Sequence, residues 1–245
     1  MIIFENMNPR EINTFILKDR ISEADNIITL KFSPVKGKIF QFTPGQFVSI
    51  FFLDDRVSNQ GKPYSISSIP ADDFLGITVK KIGKFSGALH DLRIGEKVKI
   101  ESPQGYFYPE NQMENIVFLA GGIGITPFYS VIKNYFNKRA DKNIFLFYSN
   151  NTKDETAFLN ELNDMAKNWD KFKIVYFFTR ENAAISTVEN KEFKRIDVKL
   201  LKKYLKNLDK KYYFICGSVG FVTDLWKELK RNNIKDEYIK VESFY

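Results

Sequence analysis

Residues 115–127 read NIVFLAGGIGITP, an apolar run followed by a glycine-rich turn and a Thr-Pro pair. The apolar run predicts a buried strand, and the helical spacing of residues 127–136 predicts a helix directly after the turn. Glycines let the chain turn sharply and leave room for a ligand. Amide groups at the start of a helix, together with the helix dipole, favour a pyrophosphate. The turn therefore predicts a dinucleotide site formed by Gly121, Gly122, Gly124, Thr126 and Pro127.

From about residue 111 onward, strand-like and helix-like segments alternate. Strands are predicted at 144–148, 172–179, 212–216 and 239–243, and helices at 155–168, 197–205 and 219–232. This alternation requires a parallel sheet covered by helices, and the polar, patternless segment 180–194 is interpreted as a loop. A dinucleotide should lie across the carboxyl ends of such strands. The residues at those ends include Asn150, Thr179, Cys216 and Gly217.

The first half of the chain has short strand-like segments separated by Gly and Pro. Strands are predicted at 15–18, 27–32, 47–53, 63–67, 76–81 and 97–101, with a polar link at 19–26 and a single helical turn at 87–92. Closely spaced strands of this kind suggest a small closed barrel. We therefore expect two domains, a β-barrel at residues 1–110 and an α/β domain with a doubly wound parallel sheet at residues 111–245.

The bulk composition is that of a soluble globular protein. The chain of 245 residues is 44% hydrophobic and 27% charged. Its one cysteine, Cys216, excludes an internal disulfide and an iron–sulfur cluster ligated only by cysteines of this chain. No apolar run approaches the roughly 20 residues that cross a bilayer, and residues 1–10 lack the features of a secretory signal. We therefore expect a cytoplasmic protein.

The formal net charge is +7, with lysines scattered among acidic residues. Such a balance fits either an ordinary solvated surface or steering toward an anionic partner, such as a nucleotide or an acidic electron carrier. The sequence has no zinc-ligand spacing and no RNA-binding motif, so nucleic acid is not expected as a partner. One histidine, His90, and one cysteine give little support for a hydrolase triad or a zinc site.

Five short motifs resemble, in their order along the chain, those of the ferredoxin–NADP reductase superfamily in its single-chain flavin reductase form. The resemblance spans residues 14–245, and the ordered set is far more specific than any one motif. The motifs are Lys62-Pro63-Tyr64-Ser65 (family pattern R-x-Y-S), Gly83-Lys84-Phe85-Ser86 (G-x-x-S), residues 121–127 (the nicotinamide-dinucleotide turn), Cys216-Gly217-Ser218 (C-G-P) and Glu242-Ser243-Phe244 (E-x-F).

This resemblance implies a six-stranded antiparallel barrel that binds FAD, followed by an α/β domain that binds NADH or NADPH. It places Tyr64 beside the isoalloxazine and Ser65 near flavin N5. It assigns the FAD pyrophosphate to the amides of Phe85 and Ser86 and to the Ser86 hydroxyl. The other residues that it implies for binding FAD are Lys62, Pro63, Thr78, Val79, Lys80 and Gly83.

The same resemblance assigns the nicotinamide end of the site to the C-terminal motifs. Phe244 would cover the second flavin face, where the nicotinamide must enter. Cys216 and Glu242 would lie near the nicotinamide C4. Ser65, Cys216, Glu242 and Phe244 are therefore the implied catalytic group.

Two features concern the choice of cofactor: a departure from the family pattern at Lys62, and a second strand that lacks the acidic residue usual for binding the NAD ribose; a further departure, Ser218 in place of proline, is expected to be harmless. Lys62 stands where the family has arginine, and lysine keeps the charge but loses the planar two-pronged donor. FAD is still expected, with FMN as the alternative. The second strand of the α/β domain ends in Ser149-Asn150-Asn151 rather than in an acidic residue, and Arg180 could hold a 2′-phosphate. NADH and NADPH therefore both stay open.

We expect an oxidoreductase that transfers a hydride from NAD(P)H to bound FAD and then passes electrons singly to a protein acceptor. Ferredoxin, flavodoxin or an oxygenase component could be that acceptor, and the basic surface favours an acidic carrier. One alternative is a reductase of free flavin or ferric complexes that needs no protein acceptor. An alternative of another class is a non-catalytic nucleotide-binding subunit or redox sensor, which would keep the glycine turn but fail to hold flavin.

Overall fold

The N-terminal half forms a six-stranded antiparallel sheet. The computed structural model describes residues 11–58, 60–181, 188 and 190–244. The elements of this half are β1 (Ile12–Ala24), β2 (Ile27–Pro34), β3 (Phe47–Phe52), β4 (Lys62–Ser65), β5 (Leu75–Lys80), α1 (Lys84–His90) and β6 (Lys97–Glu101). The strand order is β4-β3-β6-β1-β2-β5, and a bridge between Ile66 and Ile77 joins the chain after β4 to β5. The sheet therefore curls into the expected barrel.

The C-terminal half forms a six-stranded parallel sheet with helices on both faces. Its elements are β7 (Asn115–Gly121), α2 (Ile125–Asn137), β8 (Asn143–Asn150), α3 (Leu159–Asn168), β9 (Phe172–Phe178), β10 (Lys191–Glu192), α4 (Val198–Leu205), β11 (Tyr212–Gly217), α5 (Val219–Arg231) and β12 (Ile239–Ser243). The strand order β10-β9-β8-β7-β11-β12 reverses direction at β7. The predicted doubly wound fold is therefore confirmed, with its switch point at the end of β7.

Successive side chains of a strand point to opposite faces of its sheet and so pack into different hydrophobic cores. On β7, Phe118 packs with α2 and α3, while Val117 packs with α4 and α5 on the other face. On β2, Leu30 points into the barrel, whereas Ile27 packs against the core of the second half. The α/β half therefore covers the start of the outer face of β2, at Ile27.

The two halves are joined by direct polar contacts. The Ser130 hydroxyl of α2 donates to the carbonyl oxygen of Ser68 at 2.6 Å. Lys133 of the same helix pairs with Asp72 at 2.7 Å. Lys80 of β5 pairs with Glu155 at 3.1 Å. These contacts fix the barrel face beside the strand ends of the parallel sheet. The expected boundary between residues 110 and 111 stays a prediction.

Several predicted element boundaries differ from the structure. The expected polar link at residues 19–26 is wrong, because β1 continues to Ala24 and its exposed polar side chains pair with β2 through two register shifts. α1 begins at Lys84, three residues before the predicted turn. α3 begins only at Leu159, because Phe158 adopts a left-handed conformation with φ of 59°.

Two segments singled out in the sequence lie wholly or partly outside the described residues. These are residues 1–10, where no signal was expected, and residues 182–187 and 189 of the predicted loop 180–194. Within that predicted loop, Lys191–Glu192 pairs with β9 as a short parallel strand. Among the described residues, no helix is both long and apolar enough to cross a bilayer.

Candidate functional site

The glycine turn forms a short 3₁₀ segment, Gly122–Gly124, between β7 and α2. Gly122 has a φ of +55°, and a Cβ there would meet nothing within 4 Å. A Cβ on Gly124 would instead lie 2.3 Å from the carbonyl oxygen of Cys216. Gly122 therefore faces open space, whereas Gly124 is required by close packing of the turn against β11.

A cleft of about 490 Å³ lies at the carboxyl ends of the parallel strands. It brings together four of the predicted dinucleotide-binding residues: Gly121, Gly122, Asn150 and Thr179. Its other lining residues are Lys80, Ser149, Asn151, Glu155, Arg195, Ile196, Ser218, Gly220, Phe221, Asp224 and Leu225. Gly124, Pro127, Cys216 and Gly217 do not line this cleft and are buried.

One observation indicates that this cleft suits a polar ligand. Asn150 is 7% exposed and lines the cleft. Its Nδ2 has no hydrogen-bond partner in the part of the chain that the structure describes. An unpaired buried amide is costly unless a ligand or water accepts its hydrogen bond. This nitrogen is shielded from solvent and the side chain interacts with the Tyr148 phenol, so the amide reaches a ligand in the cleft only if the side chain turns.

A second, narrower cleft lies where the barrel meets the α/β half. It is lined by β4 and β5, by the start of α2 and by the C-terminal motif, with a volume of about 40 Å³. We call this smaller cleft the slot. Its lining residues are Pro63, Tyr64, Ser65, Thr78, Val79, Lys80, Ile82, Ile123, Thr126 and Phe244.

The slot therefore gathers most of the residues that the resemblance implied for the flavin. Tyr64, Ser65 and Phe244 lie in it, although Phe244 is far from the other two in sequence. Thr126 lines this slot rather than the larger cleft, and its hydroxyl donates to the Ile123 carbonyl at 3.1 Å. Lys80 lines both clefts, so the two are adjacent.

The residues implied for binding the FAD phosphates lie outside the slot. Lys62 is exposed, and Gly83 precedes α1. The Phe85 ring lies 6.2 Å from the Tyr64 ring. The Ser86 hydroxyl accepts from the amides of residues 82 and 83 and donates back to the Gly83 carbonyl. That hydroxyl holds the turn together, so phosphate binding at α1 would depend on the backbone amides.

Cys216 and Glu242 are neighbours on β11 and β12, where they are paired in register. Burial and the nearby Glu242 charge both raise the pKa of the Cys216 thiol. Burial also raises the pKa of Glu242 to about 7. The thiol therefore stays protonated at neutral pH and is no nucleophile, whereas the carboxyl can exchange a proton near neutrality. The Phe244 amide donates to the Gly217 carbonyl at 2.9 Å, which holds the C-terminal motif against β11.

We expect Glu242→Gln to stabilise the protein at pH 8 but not at pH 4.5. The folded state binds the Glu242 proton more tightly than the unfolded state, because burial raises the pKa to about 7. The stabilisation is therefore lost as the pH rises from the ordinary pKa of a glutamate carboxyl toward 7. We expect a gain of about 1–2 kcal/mol at pH 8, discounted for partial burial. Urea unfolding at both pH values measures it, and an equal effect at both would contradict the assignment.

Four residues of the larger cleft gave no signal in the sequence: Glu155, Arg195, Phe221 and Asp224. Glu155 is positioned by the Asn151 side-chain amide, 3.1 Å away, and by Lys80. Phe221 packs on Gly121 and Gly217, which lack side chains that would block it. Phe221 and Asp224 belong to α5, whereas Glu155 and Arg195 lie in two different loops, so no single local pattern links the four residues.

Comparison with known proteins covers nearly the whole chain. A family model described as an FAD-binding domain matches residues 12–126, and one described as an oxidoreductase NAD-binding domain matches residues 118–227. The chain belongs to the ferredoxin–NADP reductase superfamily. The two matches also identify the chain as an oxidoreductase whose cofactors are FAD and a nicotinamide dinucleotide.

The reductase also resembles larger proteins. It is 29% identical over 240 residues to a flavohemoprotein of Bacillus subtilis, covering 96% of this chain but 60% of the relative. The chain thus spans about 60% of the length of the curated relative that it matches.

Solved structures show the same fold. A ferredoxin NADP+ reductase from Neisseria gonorrhoeae with bound FAD and NADP superimposes with a TM-score of 0.80 at 19% identity, covering 96% of this chain and 99% of that one. A flavohemoglobin from Malassezia yamatoensis with bound FAD and heme gives 0.82 at 20% identity, covering 96% and 60%.

Proposed function

We propose that this reductase transfers a hydride from NADH or NADPH to bound FAD and passes the electrons to a one-electron protein acceptor. The observation that carries this proposal is the adjacency of the two clefts, which share Lys80 at the junction of the two halves. FAD, when bound, supplies the exchange between two-electron and one-electron chemistry. The chain's contribution is to hold two rings in contact, which removes much of the entropic cost of the reaction.

In this proposal, residues of both halves bind the flavin ring. Tyr64 packs beside one face, and the Ser65 hydroxyl donates a hydrogen bond near N5. Phe244 covers the other face and must yield to the nicotinamide. Ser65 and Tyr64 lie on β4, a strand of the barrel, whereas Phe244 is held by the Gly217 carbonyl of β11. The support for these roles is that the slot contains all three side chains.

The larger cleft binds the rest of the dinucleotide. The turn amides at Gly121 and Gly122 receive the pyrophosphate, and the unpaired amide of Asn150 donates to a sugar or phosphate oxygen. Arg195 is exposed and lines this cleft, as does Asp224. Cys216 and Glu242 adjoin the C-terminal motif, where they shape the nicotinamide end of the site.

For the acceptor we propose a protein that takes one electron at a time, such as ferredoxin, flavodoxin, an oxygenase component or a heme protein. The heme protein is added because the relative from Bacillus subtilis is a flavohemoprotein. The net charge of +7 favours an acidic docking surface on that partner.

Spectroscopy and acceptor assays test the proposal. The purified chain is loaded with FAD, and its visible absorption is followed under argon after NADH or NADPH is added. We expect bleaching of the flavin bands and then reoxidation by ferredoxin, flavodoxin or a heme protein. If free FMN and ferric citrate supported turnover equally well and none of the three protein acceptors supported it, the chain would be a free flavin or ferric-complex reductase. A protein that cannot retain FAD or FMN would favour the redox sensor.

We expect Phe244→Ala to tighten nicotinamide binding, because the ring no longer competes for the flavin face. An aromatic stacking contact is worth about 0.5–1.5 kcal/mol, so the Kd for NADH or NADPH should fall up to about tenfold. Titration of both dinucleotides against the FAD-loaded protein measures the effect. Phe244→Tyr keeps the ring and serves as the control. Unchanged affinities for both dinucleotides in the alanine variant would reject the covering role.

A further inference from the structure

A chain of buried hydroxyl groups runs along the outer face of the barrel. Thr29 donates to the Glu23 carboxylate at 2.6 Å, and its oxygen lies 2.7 Å from that of Thr78. The Thr78 hydroxyl oxygen lies 2.8 Å from that of Ser67. Thr29, Thr78 and Ser67 are 7%, 3% and 3% exposed. Four polar side chains thus make an unbroken series of short hydrogen bonds without bulk solvent between them.

Two members of this series, Thr78 and Glu23, reach different clefts. Thr78 lines the narrow slot that we assign to the flavin. Glu23 lines a separate cleft of about 520 Å³ between the β1–β2 hairpin and the start of α3. Thr29 and Thr78 face each other in the register of β2 and β5, so the sheet itself fixes the central link. The series therefore connects the flavin slot with the solvent side of the barrel.

Counting hydrogens shows that the series has two complete arrangements. Three contacts need three hydrogens, but Thr29 and Thr78 supply only one each. The third comes from a proton on Glu23, which then donates to Thr29, or from Ser67, which turns to donate to Thr78. The two arrangements differ by one proton on Glu23 and by the reversal of the hydroxyls. This interconversion is what proton transfer along hydroxyl groups requires.

The groups around Glu23 favour exchange of its carboxyl proton with water in the cleft at α3. Burial raises the pKa of this carboxyl, and the Thr29 hydrogen bond opposes that shift. Glu161 of α3 raises the pKa further, whereas Lys31 of β2 lowers it. The phenols of Tyr129 on α2 and Tyr148 on β8 also interact with Glu23. The same cleft includes Asp25, Lys153 and Asp154.

We propose that Thr78, Thr29 and Glu23 form a proton relay that connects the flavin slot to the cleft at α3. The proposal rests on the function proposed above. When one NAD(P)H is oxidised by two one-electron acceptors, the products are NAD(P)+, two reduced acceptors and one proton. That proton must leave the slot, which Phe244 and Thr126 line on the side of the α/β half. The hydroxyl series carries it to Glu23, and Glu23 releases it to water.

Four variants separate the effect of the relay from that of other buried hydrogen bonds. Thr29→Val removes the central hydroxyl with little change of shape, and Glu23→Gln removes the terminal proton acceptor. Thr29→Ser keeps the hydroxyl and should behave like the wild type. Ser130→Ala is the matched control, because it deletes a buried hydroxyl hydrogen bond outside the relay, from Ser130 to the Ser68 carbonyl.

The test follows protons rather than turnover. FAD bound to each protein is reduced with dithionite, excess reductant is removed, and ferricyanide is added in weak buffer with a pH-indicator dye. Proton release and flavin reoxidation are recorded together. We expect them to coincide in the wild type, in Thr29→Ser and in Ser130→Ala. In Thr29→Val and Glu23→Gln, proton release should lag by about tenfold or more.

Coincident proton release in Thr29→Val and Glu23→Gln would overturn the relay and leave the hydroxyls a structural role. Because no nicotinamide is used, this result does not depend on hydride transfer; a failure of the proposed function would show instead as no bleaching by NADH or NADPH. Carbon-13 NMR of labelled glutamate provides a second readout without FAD. There, Thr29→Val should raise the pKa of Glu23, because it removes a hydrogen bond to the ionised form.

Discussion

Gly124→Ala should destabilise the protein by about 3 kcal/mol and abolish dinucleotide binding. The added Cβ would lie 2.3 Å from the carbonyl oxygen of Cys216 and 2.8 Å from the amide nitrogen of Gly217. Both contacts are with backbone atoms of β11, which cannot move aside like a flexible side chain. The turn or the strand must therefore shift, and the amides at the start of α2 lose their arrangement around the pyrophosphate.

Urea unfolding measures the stability of this variant, and calorimetric titration with NADH or NADPH measures binding. Gly220→Ala is the matched control for stability, because a Cβ at this position in α5 would meet nothing within 4 Å. Alanine is also the better helix former, so that control should gain about 0.5–1 kcal/mol. A Gly124→Ala variant as stable as the wild type, with unchanged affinity, would show that the turn does not depend on this close approach.

Ser65→Ala should slow hydride transfer by about 10²-fold while FAD stays bound. A donor aimed at the atom where charge develops is worth about this much in enzymes of other kinds. Ser65 is 5% exposed, belongs to β4 and lines the slot, so its hydroxyl is screened from water. The effect depends on the proposed placement of Ser65 near N5, and its size therefore tests that placement.

Stopped-flow mixing with saturating NADH or NADPH under argon measures the rate of flavin bleaching. Ser65→Thr retains the hydroxyl and should lose much less. Ser68→Ala is the matched control: it removes a nearby buried hydroxyl that accepts from the Gly76 amide at 2.8 Å and does not line the slot. A Ser65→Ala variant that bleaches at the wild-type rate would contradict a role in the chemical step.

Strands were most predictable where both ends carry clear signals. β6 matches the predicted range residue for residue, because Gly95-Glu96 and Ser102-Pro103 interrupt the apolar pattern on each side. β12 also matches its predicted range. The end of β1 was missed because both faces of the hairpin expose polar side chains there, and exposed strands lack alternation. The start of α3 depends on the left-handed conformation of Phe158. An aromatic residue rarely adopts this conformation, so the sequence did not indicate it.

The site was predictable where one short segment supplies it. Tyr64, Ser65, Gly121 and Gly122 line the two clefts as expected. Residues such as Arg195 and Asp224 were missed, because isolated charged residues read as solvated surface unless the fold is known. The hydroxyl series escaped notice for a related reason: Glu23, Thr29 and Thr78 are brought together only by strand pairing. Sequence reasoning therefore finds motifs and misses juxtapositions.

The narrow slot has one wall from the barrel and the opposite wall from Phe244 and the start of α2. Neither half possesses it alone. Chimaeras that graft the barrel of one family member onto the nicotinamide half of another should then inherit a mismatched crevice, even when each graft folds. Restoring it would require transplanting the polar contacts Ser130–Ser68, Lys133–Asp72 and Lys80–Glu155 as a set. Whether the two halves can be exchanged between family members therefore depends on the residues at the interface between them.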